Sequence, residues 1–570
     1  MKRTIIGIAG LTLVALLIAC SGGSISHGRK AIGPATEGVD LADYAAVYYV
    51  AKWGMSESAG SNMAPWPSIQ FALQYASENA TGRVAIVVGE GSYSEGTLVM
   101  VEHVDLYGGF DERSWARDIA INRTLLDGAG EERIMLAANN SRVDGFVFKN
   151  GLIRGKGAAI MCDGVSPTIS NNVFTNNKSL SPDGWAPKFR HEISNDGGAI
   201  YAENSANPIV VNNLFVENLT ENGRGAGIAV HNRCNGVISN NVFLANVAGL
   251  DDPLRSSDGG AISIFDWSSP VVENNIILSN KSLANNDAGG VFIALWSAPE
   301  FKNNILVDNE CTDDAGALFI GGQEHRYDSP LDPIPSKEDF YIRVIGNEFY
   351  GNRNPSGNSG VMRMTMESRG LIANNIMAFN NGFYIQRSEA TIINNTIMEN
   401  FLFIETKEGL LPSYAANNIV WGTFSFETTA TVEYNNFRDG YEGIGNFTAD
   451  PQLESEITTL NIASSKYAGD QFATVLDLAD GVLTNDELIN RTVRSNDKWG
   501  VVRNNNENSI TVWGNLEGIE SLELIPTYHL KLGSLNIDKG TDNHLFPTDF
   551  DGDSRPQGNG VDIGADEYTN

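Results

Sequence analysis

The chain has 570 residues, 42% of them hydrophobic, and a formal net charge of −31. That apolar content suffices for a long core, and the charge excludes broad electrostatic attraction to nucleic acid or to an anionic membrane surface. It argues only weakly against a grip on an anionic polymer, since a local basic groove is compatible with an acidic whole.

Lys2-Arg3 precede an apolar run from Ile5 to Ile18, and Leu17-Ile18-Ala19-Cys20 resembles the cleavage box of bacterial lipoproteins. The run is short for a membrane span and ends in a processing site. Residues 1–19 are therefore expected to be a signal peptide, with Cys20 as the lipidated N-terminus. Ser21, not Asp, follows it. In lipoproteins of this type that points to the outer membrane, at the cell surface or on the periplasmic face. The membrane is then a partner only through the lipid.

Residues 20–46 read as a polar tether. Val47 to Val50 is a strand. Pro67 opens a helical pattern with Ile69, Ala72, Leu73 and Ala76 on one face. Such a helix would cover the open end of a stack of strands. Val84 to Val88, Val104 to Phe110, Leu125 to Gly128 and Ile134 to Ala137 read as the first turns of that stack.

From Ser141 to Arg438 one pattern recurs: a Gly-rich start, alternating apolar residues, a Pro or Gly, then Asn-Asn and another apolar pair. Asn171-Asn172, Asn212-Asn213, Asn240-Asn241, Asn274-Asn275 and Asn303-Asn304 are its landmarks. The apolar runs suit strands too short to stand alone, so they must stack as coils of a solenoid. Asn tolerates the left-handed backbone of a tight turn, and stacked Asn side chains can bond in ladders. The expected fold is all-β, a right-handed parallel β-helix over residues 47–440 with an N-terminal capping helix and long loop insertions. Residues 441–570 are expected to cap it. Cys162, Cys234 and Cys311 are too few and too widely spaced for a disulfide scaffold and read as small buried hydrophobes.

The segment Tyr49 to Ala76, Tyr107-Gly108-Gly109-Phe110, Leu126-Asp127-Gly128, the coils and the tail from Tyr528 to Tyr568 together resemble the bacterial right-handed parallel β-helix proteins of the pectate-lyase-like superfamily. The resemblance covers nearly all the mature chain. It implies the fold and fixes no single reaction, since members include lyases, hydrolases, epimerases and proteins without known activity.

Aligning the Gly-rich starts, such as Asp196 to Ile200 and Asp258 to Ile262, separates inward from outward positions by the period of two in a strand. The first outward row is Met161, Tyr201, Ala229, Ser263, Phe292, Phe319 and Arg363. The next holds Asp163, Glu203, His231 and Phe265, with Arg233, Trp267 and Trp296 just beyond. Aromatic rings along a solvent-facing sheet suit the flat faces of sugars. The expectation is a groove in which Ser263, Phe265, Trp267, Phe292, Trp296, Phe319 and Arg363 contact substrate, joined by Lys188, Arg190 and Arg326 from insertions. The alternative is that insertions cover this sheet and the aromatics form a secondary core.

The candidate catalytic cluster is His231, Arg233, Tyr201, Glu203 and Asp163. In a lyase, His231 or Tyr201 would take the proton α to a uronate carboxylate while Arg233 neutralises it. In a hydrolase, Asp163 and Glu203 would divide the acid and base or nucleophile roles. The stacked Asp196, Asp258, Asp287 and Asp314 read either as Ca²⁺ (calcium) ligands or as acceptors of turn amides. Asp549, Asp551 and Asp553 have the alternating spacing of a calcium loop but Gly560 where its Glu belongs, so a structural turn is the alternative. The function expected is a monomeric, surface-anchored protein acting on a polysaccharide or oligosaccharide, with β-elimination of a uronate polymer ahead of hydrolysis and of binding without turnover. No nucleic acid is expected as a partner.

Overall fold

The computed structural model describes residues 30–184, 195–250, 257–283, 287–322, 340–398, 401–405, 410, 412–426 and 429–569. Cys20, Lys188, Arg190 and Arg326 lie outside the described residues.

Three parallel sheets of 14, 13 and 12 strands run along the molecule, and a fourth of six strands accompanies part of them. One coil shows the path. Ile228–His231 lies in the 12-stranded sheet, Val237–Ser239 in the 14-stranded, Val242–Leu244 in the 13-stranded and Val247–Ala248 in the six-stranded. The next coil repeats it with Ile262–Phe265, Val271–Glu273, Ile276–Leu278 and Lys281–Ser282, each parallel to its predecessor. This is the parallel β-helix that the repeats imply.

The interior is filled as the alternation requires. Ile228, Ile262, Val291, Leu318 and Met362 are buried, and so are Val230, Ile264, Ile293, Ile320 and Met364. Phe174, Phe215 and Phe243 stack with centroids 4.7 and 4.8 Å apart and planes within 6° of parallel. That spacing matches the rise from strand to strand. Cys162, Cys234 and Cys311 are free and buried.

The two residues of each Asn pair do different work. Asn171, Asn212, Asn240 and Asn274 have φ between 54° and 57°, the left-handed turn. Asn172, Asn213, Asn241 and Asn275 are fully buried and form the ladder. The Asn241 N–H and its Nδ2 both donate to Asn275 Oδ1, at 3.0 and 3.1 Å, and Nδ2 also donates to the Val210 carbonyl at 2.9 Å. A second ladder, Asn177, Asn218, Asn246, Asn280, Asn309 and Asn352, closes the following turn with the same bonds. Its signal in the sequence is an Asn five places after each first-ladder Asn.

The helix Ile69–Asn79 buries Ile69, Ala72, Leu73 and Ala76. Ser68 caps it by accepting from the Phe71 N–H, and the Glu95 carboxylate accepts from the Ile69 and Gln70 N–H groups at 3.0 and 2.9 Å. A carboxylate there satisfies amides that have no helical partner and complements the helix dipole.

The C-terminal region contains a closed antiparallel barrel of six strands: Thr458–Ala468, Ala473–Leu478, Thr492–Ser495, Lys498–Asn505, Ser509–Trp513 and Ser521–Leu524. The coil rhythm gives no sign of it. Leu476, Val493, Val502, Ile510 and Val512 fill its own core. Trp499, Val501 and Trp513, with Tyr528 and Leu530 of the tail, pack on the outer face of the 13-stranded sheet at Val216, Leu244, Leu278, Val307 and Tyr350. Ile32 joins the same cluster, and the Gly33 N–H donates to the Asn240 carbonyl at 3.1 Å. Residues 30–36, read from the sequence as tether, thus pack in the seam between solenoid and barrel.

The division of labour within an Asn pair is testable. Asn274→Gly keeps the left-handed turn and is expected to change stability by under about 1 kcal/mol. Asn275→Ala strands the Asn241 N–H in the core and is expected to cost about 2 kcal/mol or more. Urea denaturation of the two variants compares them; equal midpoints would contradict the assignment.

Candidate functional site

The outward rows of the 12-stranded sheet fall where the alternation puts them. Met161 pairs with Tyr201, Tyr201 with Ala229, Ala229 with Ser263, Ser263 with Phe292, Phe292 with Phe319 and Phe319 with Arg363. In the next row Asp163 pairs with Glu203, and His231 with Phe265.

Their exposure differs from the expectation of an open groove. Tyr201, Ser263, Phe265, Phe292 and Phe319 are buried. Phe265, Phe292 and Phe319 form a compact cluster with Ala294, Leu295 and Ala315, and Trp296 and Met366 pack against it. The Phe292 and Phe319 rings stack at 5.5 Å. Side chains from the Gly-rich starts help to cover this row: the Arg224 guanidinium lies 3.9 Å from the Phe265 ring centroid. Ser263, Phe265, Phe292 and Phe319 therefore belong to a secondary core, not to an open sugar platform. Arg363 is only partly exposed and its guanidinium is paired with Asp314.

His231 is buried too, at 4% exposure, so its place in the catalytic cluster is corrected. Its Nδ1 lies 3.4 Å from Asp196 Oδ2 and its Nε2 3.1 Å from Ser263 Oγ. Burial drives its pKa down to about 3, against the opposing pull of Asp196 and aided by Arg224 and Lys156. A neutral imidazole held between two buried partners is a poor base for a substrate in solvent. Asp196, His231 and Ser263 sit on three coils and tie them together.

The reachable chemistry lies at the edge of the sheet. Lys156 Nζ donates to Tyr201 Oη at 2.8 Å and lies 3.4 Å from Glu203 Oε2, while Tyr201 Oη donates to Glu203 Oε2 at 3.0 Å. The Lys156 and Glu203 side chains are 39% and 23% exposed. Burial, then the charges of Asp196 and Glu203, raise the Tyr201 pKa well above its ordinary value, so its hydroxyl stays protonated. Asp163 is exposed and accepts from Asn204 Nδ2 at 2.7 Å. Lys156 escapes sequence reading because it sits between two glycines, outside any strand.

A second exposed feature follows the strands. Four consecutive strands are each succeeded by two residues with left-handed φ: Asn204 and Ser205, Asn232 and Arg233, Asp266 and Trp267, Leu295 and Trp296. These turns stack, so their side chains form a row. The Trp267 and Trp296 rings lie 5.4 Å apart, and the Arg233 guanidinium lies 5.8 Å from the Trp267 centroid. Both tryptophans are half-buried and Arg233 is exposed.

The Asp stack is hydrogen-bonded. Asp196 Oδ1 accepts from the Arg224 N–H at 2.8 Å, and Asp258 Oδ1 from the Asp287 N–H at 3.1 Å. Arg224 stands between Asp196 and Asp258 in the stack, and its Nε lies 3.5 Å from Asp258 Oδ2. Burial raises the Asp258 pKa and carries that of Asp314 to about 6, with Arg224 and Arg363 opposing. Amides and guanidinium groups thus occupy places where Ca²⁺ would need oxygen. Asp549 accepts from the N–H groups of Asp551, Asp553 and Glu567 at 3.0, 2.8 and 3.0 Å, the geometry of a structural turn. Asp551 pairs with His529 at 2.9 Å. Among the described residues, only His529, Asp551 and Asp566 bring three ligand atoms within 4.8 Å of one another.

The buried imidazole makes a pH prediction. His231 has a folded pKa of about 3 against an ordinary value of 6.5. Its contribution to stability is present above the unfolded value and is lost as pH falls from 6.5 towards 3. His231→Gln is expected to flatten the acid side of the stability profile, read as urea midpoint against pH. An unchanged slope would contradict burial of the neutral ring.

A family model described as "Right handed beta helix region" matches residues 120–325. No curated protein matches the chain. Among solved structures the chain is similar to pectate lyase Pel9A at 13% identity, over 92% of this chain and 97% of that one, with a TM-score of 0.39. It is similar to a mutant tailspike protein of E. coli bacteriophage HK620 at 12% identity, over 80% and 89% of the two chains, with a TM-score of 0.31. A PL6 family polysaccharide lyase from Pseudopedobacter saltans shares 11% identity over 67% and 91%, with a TM-score of 0.25. The coil topology and register are those of a right-handed parallel β-helix, and the family model matches part of that solenoid.

Proposed function

We propose that the protein acts on an acidic polysaccharide laid along the edge of the 12-stranded sheet, by β-elimination at Lys156, Tyr201 and Glu203. The observation that carries this reading is the Lys156–Tyr201–Glu203 cluster, a polar network on this sheet with both charged members open to solvent. In elimination a base takes the proton α to the uronate carboxylate, charge builds on that carboxylate, and the glycosidic oxygen departs. Glu203 is placed to take that proton and the Lys156 ammonium to give one to the departing glycosidic oxygen, while Arg233 carries charge for the carboxylate. Trp267 and Trp296 offer ring faces for neighbouring sugars, with the row of turns setting the direction of the polymer.

Hydrolysis by Glu203 and Asp163 is the competing chemistry, since the two are register partners on adjacent coils. Binding without turnover is a further reading, favoured by one fact: Lys156, Tyr201 and Glu203 already satisfy one another. Attachment to the outer membrane through Cys20 belongs to the same proposal and rests on the lipoprotein-like box.

The test uses chain from Cys20 onward, mixed with uronate and neutral polysaccharides with and without Ca²⁺. Ultraviolet absorbance reports unsaturated products and a reducing-end assay reports any cleavage. Elimination is expected, with Lys156→Met and Glu203→Gln each lowering turnover by about 10²-fold or more while glycan binding persists. Reducing ends without absorbance would replace elimination by hydrolysis. Silence in both channels with binding retained would leave a binding protein. Trp267→Ala is expected to weaken binding about fivefold or more, and unchanged affinity would remove the tryptophan row from the site.

A further inference from the structure

Between the solenoid and the barrel lies a cavity of about 60 Å³, away from the site sheet. Arg123 reaches it from the solenoid, and Arg503 and Trp513 from the barrel. Asn171, Asp470 and Phe472 also line it.

Arg503 is the unusual member. It sits on the strand Lys498–Asn505, where pairing with Ser509–Trp513 slips: Val502 opposes Val512 but Asn504 opposes Thr511. Arg503 is the extra residue of that bulge, and bulges re-aim side chains. Its guanidinium lies 4.7 Å from the Trp513 ring centroid. Among the described residues it has no carboxylate or carbonyl within hydrogen-bonding distance. Arg503 is half-buried, and that burial lowers its pKa.

A buried donor without a partner is beside it. Trp513 is 2% exposed, and its Nε1–H has no acceptor. Buried donors are almost always paired, so an orphan at a cavity asks for a ligand or water. Arg123 adds a second guanidinium, anchored by a bond from Nη2 to the Asp470 carbonyl. The Asp470 side chain is exposed and forms no ion pair with either arginine among the described residues. Arg503, Arg123 and Trp513 thus line one cavity in a chain of net charge −31. The cavity has room for a carboxylate or phosphate group.

We propose that this cavity is an oxyanion-binding site, in which Arg503 and Arg123 pair with a small acidic group and the Trp513 indole donates to it. Arginine's planar fork matches carboxylate and phosphate alike. Two sources share this chemistry: the carboxylate of an acidic sugar, with its ring outside the cavity, and free phosphate. The site is independent of the polysaccharide reaction proposed above and stands if that reaction fails.

The experiment titrates the full mature chain with galacturonate, with inorganic phosphate and with glucose as the neutral control, at constant ionic strength. Calorimetry reads affinity and thermal unfolding reads stabilisation. Binding of galacturonate, of phosphate or of both is expected, and which of them binds identifies the source. Arg503→Gln is expected to weaken that binding about tenfold or more, and without anion to unfold no more easily than the parent. Trp513→Phe keeps the ring and loses only the donor, and a smaller loss of affinity is expected. Should Arg503→Gln fail to fold, Arg503→Lys keeps the charge without the fork and is expected to lose most of the affinity. Binding no tighter than that of glucose, or undiminished anion affinity in the Arg503 variants, would overturn the proposal.

Discussion

The Asn ladder is the constraint on which the rest depends. A solenoid coil turns its backbone sharply several times, and every turn leaves amides and carbonyls facing a core without water. Each ladder Asn meets that demand by accepting from the coil before it and donating to the coils on either side. The bonds are made only when coils lie one strand spacing apart and in register. The ladder therefore fixes the rise and phase of the stack, and the phase decides which side chains point outwards. The positions of Glu203, His231 and Phe265 on one outward row are consequences of turns on the far side of each coil.

The outward face shows how a regular scaffold carries irregular chemistry. In its middle, aromatic residues and buried charges close on themselves: Arg224 lies over Phe265, Asp196 holds His231, and Asp314 holds Arg363. At its edge, where strands of the middle coils pass into left-handed pairs, side chains stay partly in water. Charge near the covered part is satisfied by neighbours, whereas Lys156, Glu203 and Arg233 keep solvent access. Reactive capacity thus moves from the centre of the sheet to its margin.

Much of this was legible in sequence, and the reason is periodicity. The recurring Asn pairs gave the turns, alternation gave the sides, and the four buried positions of the capping helix followed from helical spacing. Alternation says which way a side chain points but not what lies above it, so the burial of Phe292 and Phe319 could not be read. Arg224 had a signal: in the aligned starts it stands where Asp196 and Asp258 stand, an opposite charge within a row of acids. Lys156 had none, because a lone lysine between glycines fits any loop. The barrel was hidden because antiparallel pairing leaves no repeat, and the bulge at Arg503 exists only in the paired strands.

The docking of the barrel bears on how the molecule comes apart. A bare solenoid couples each coil only to its neighbours, so it can fray from an end, one rung at a time. Here one apolar patch joins Val216, Leu244, Leu278, Val307 and Tyr350, residues of five successive coils, to a body with its own core. Peeling any one of them must also disturb the surface that clamps the others. The barrel works as a splint, turning a zipper into a block whose middle coils open together or not at all.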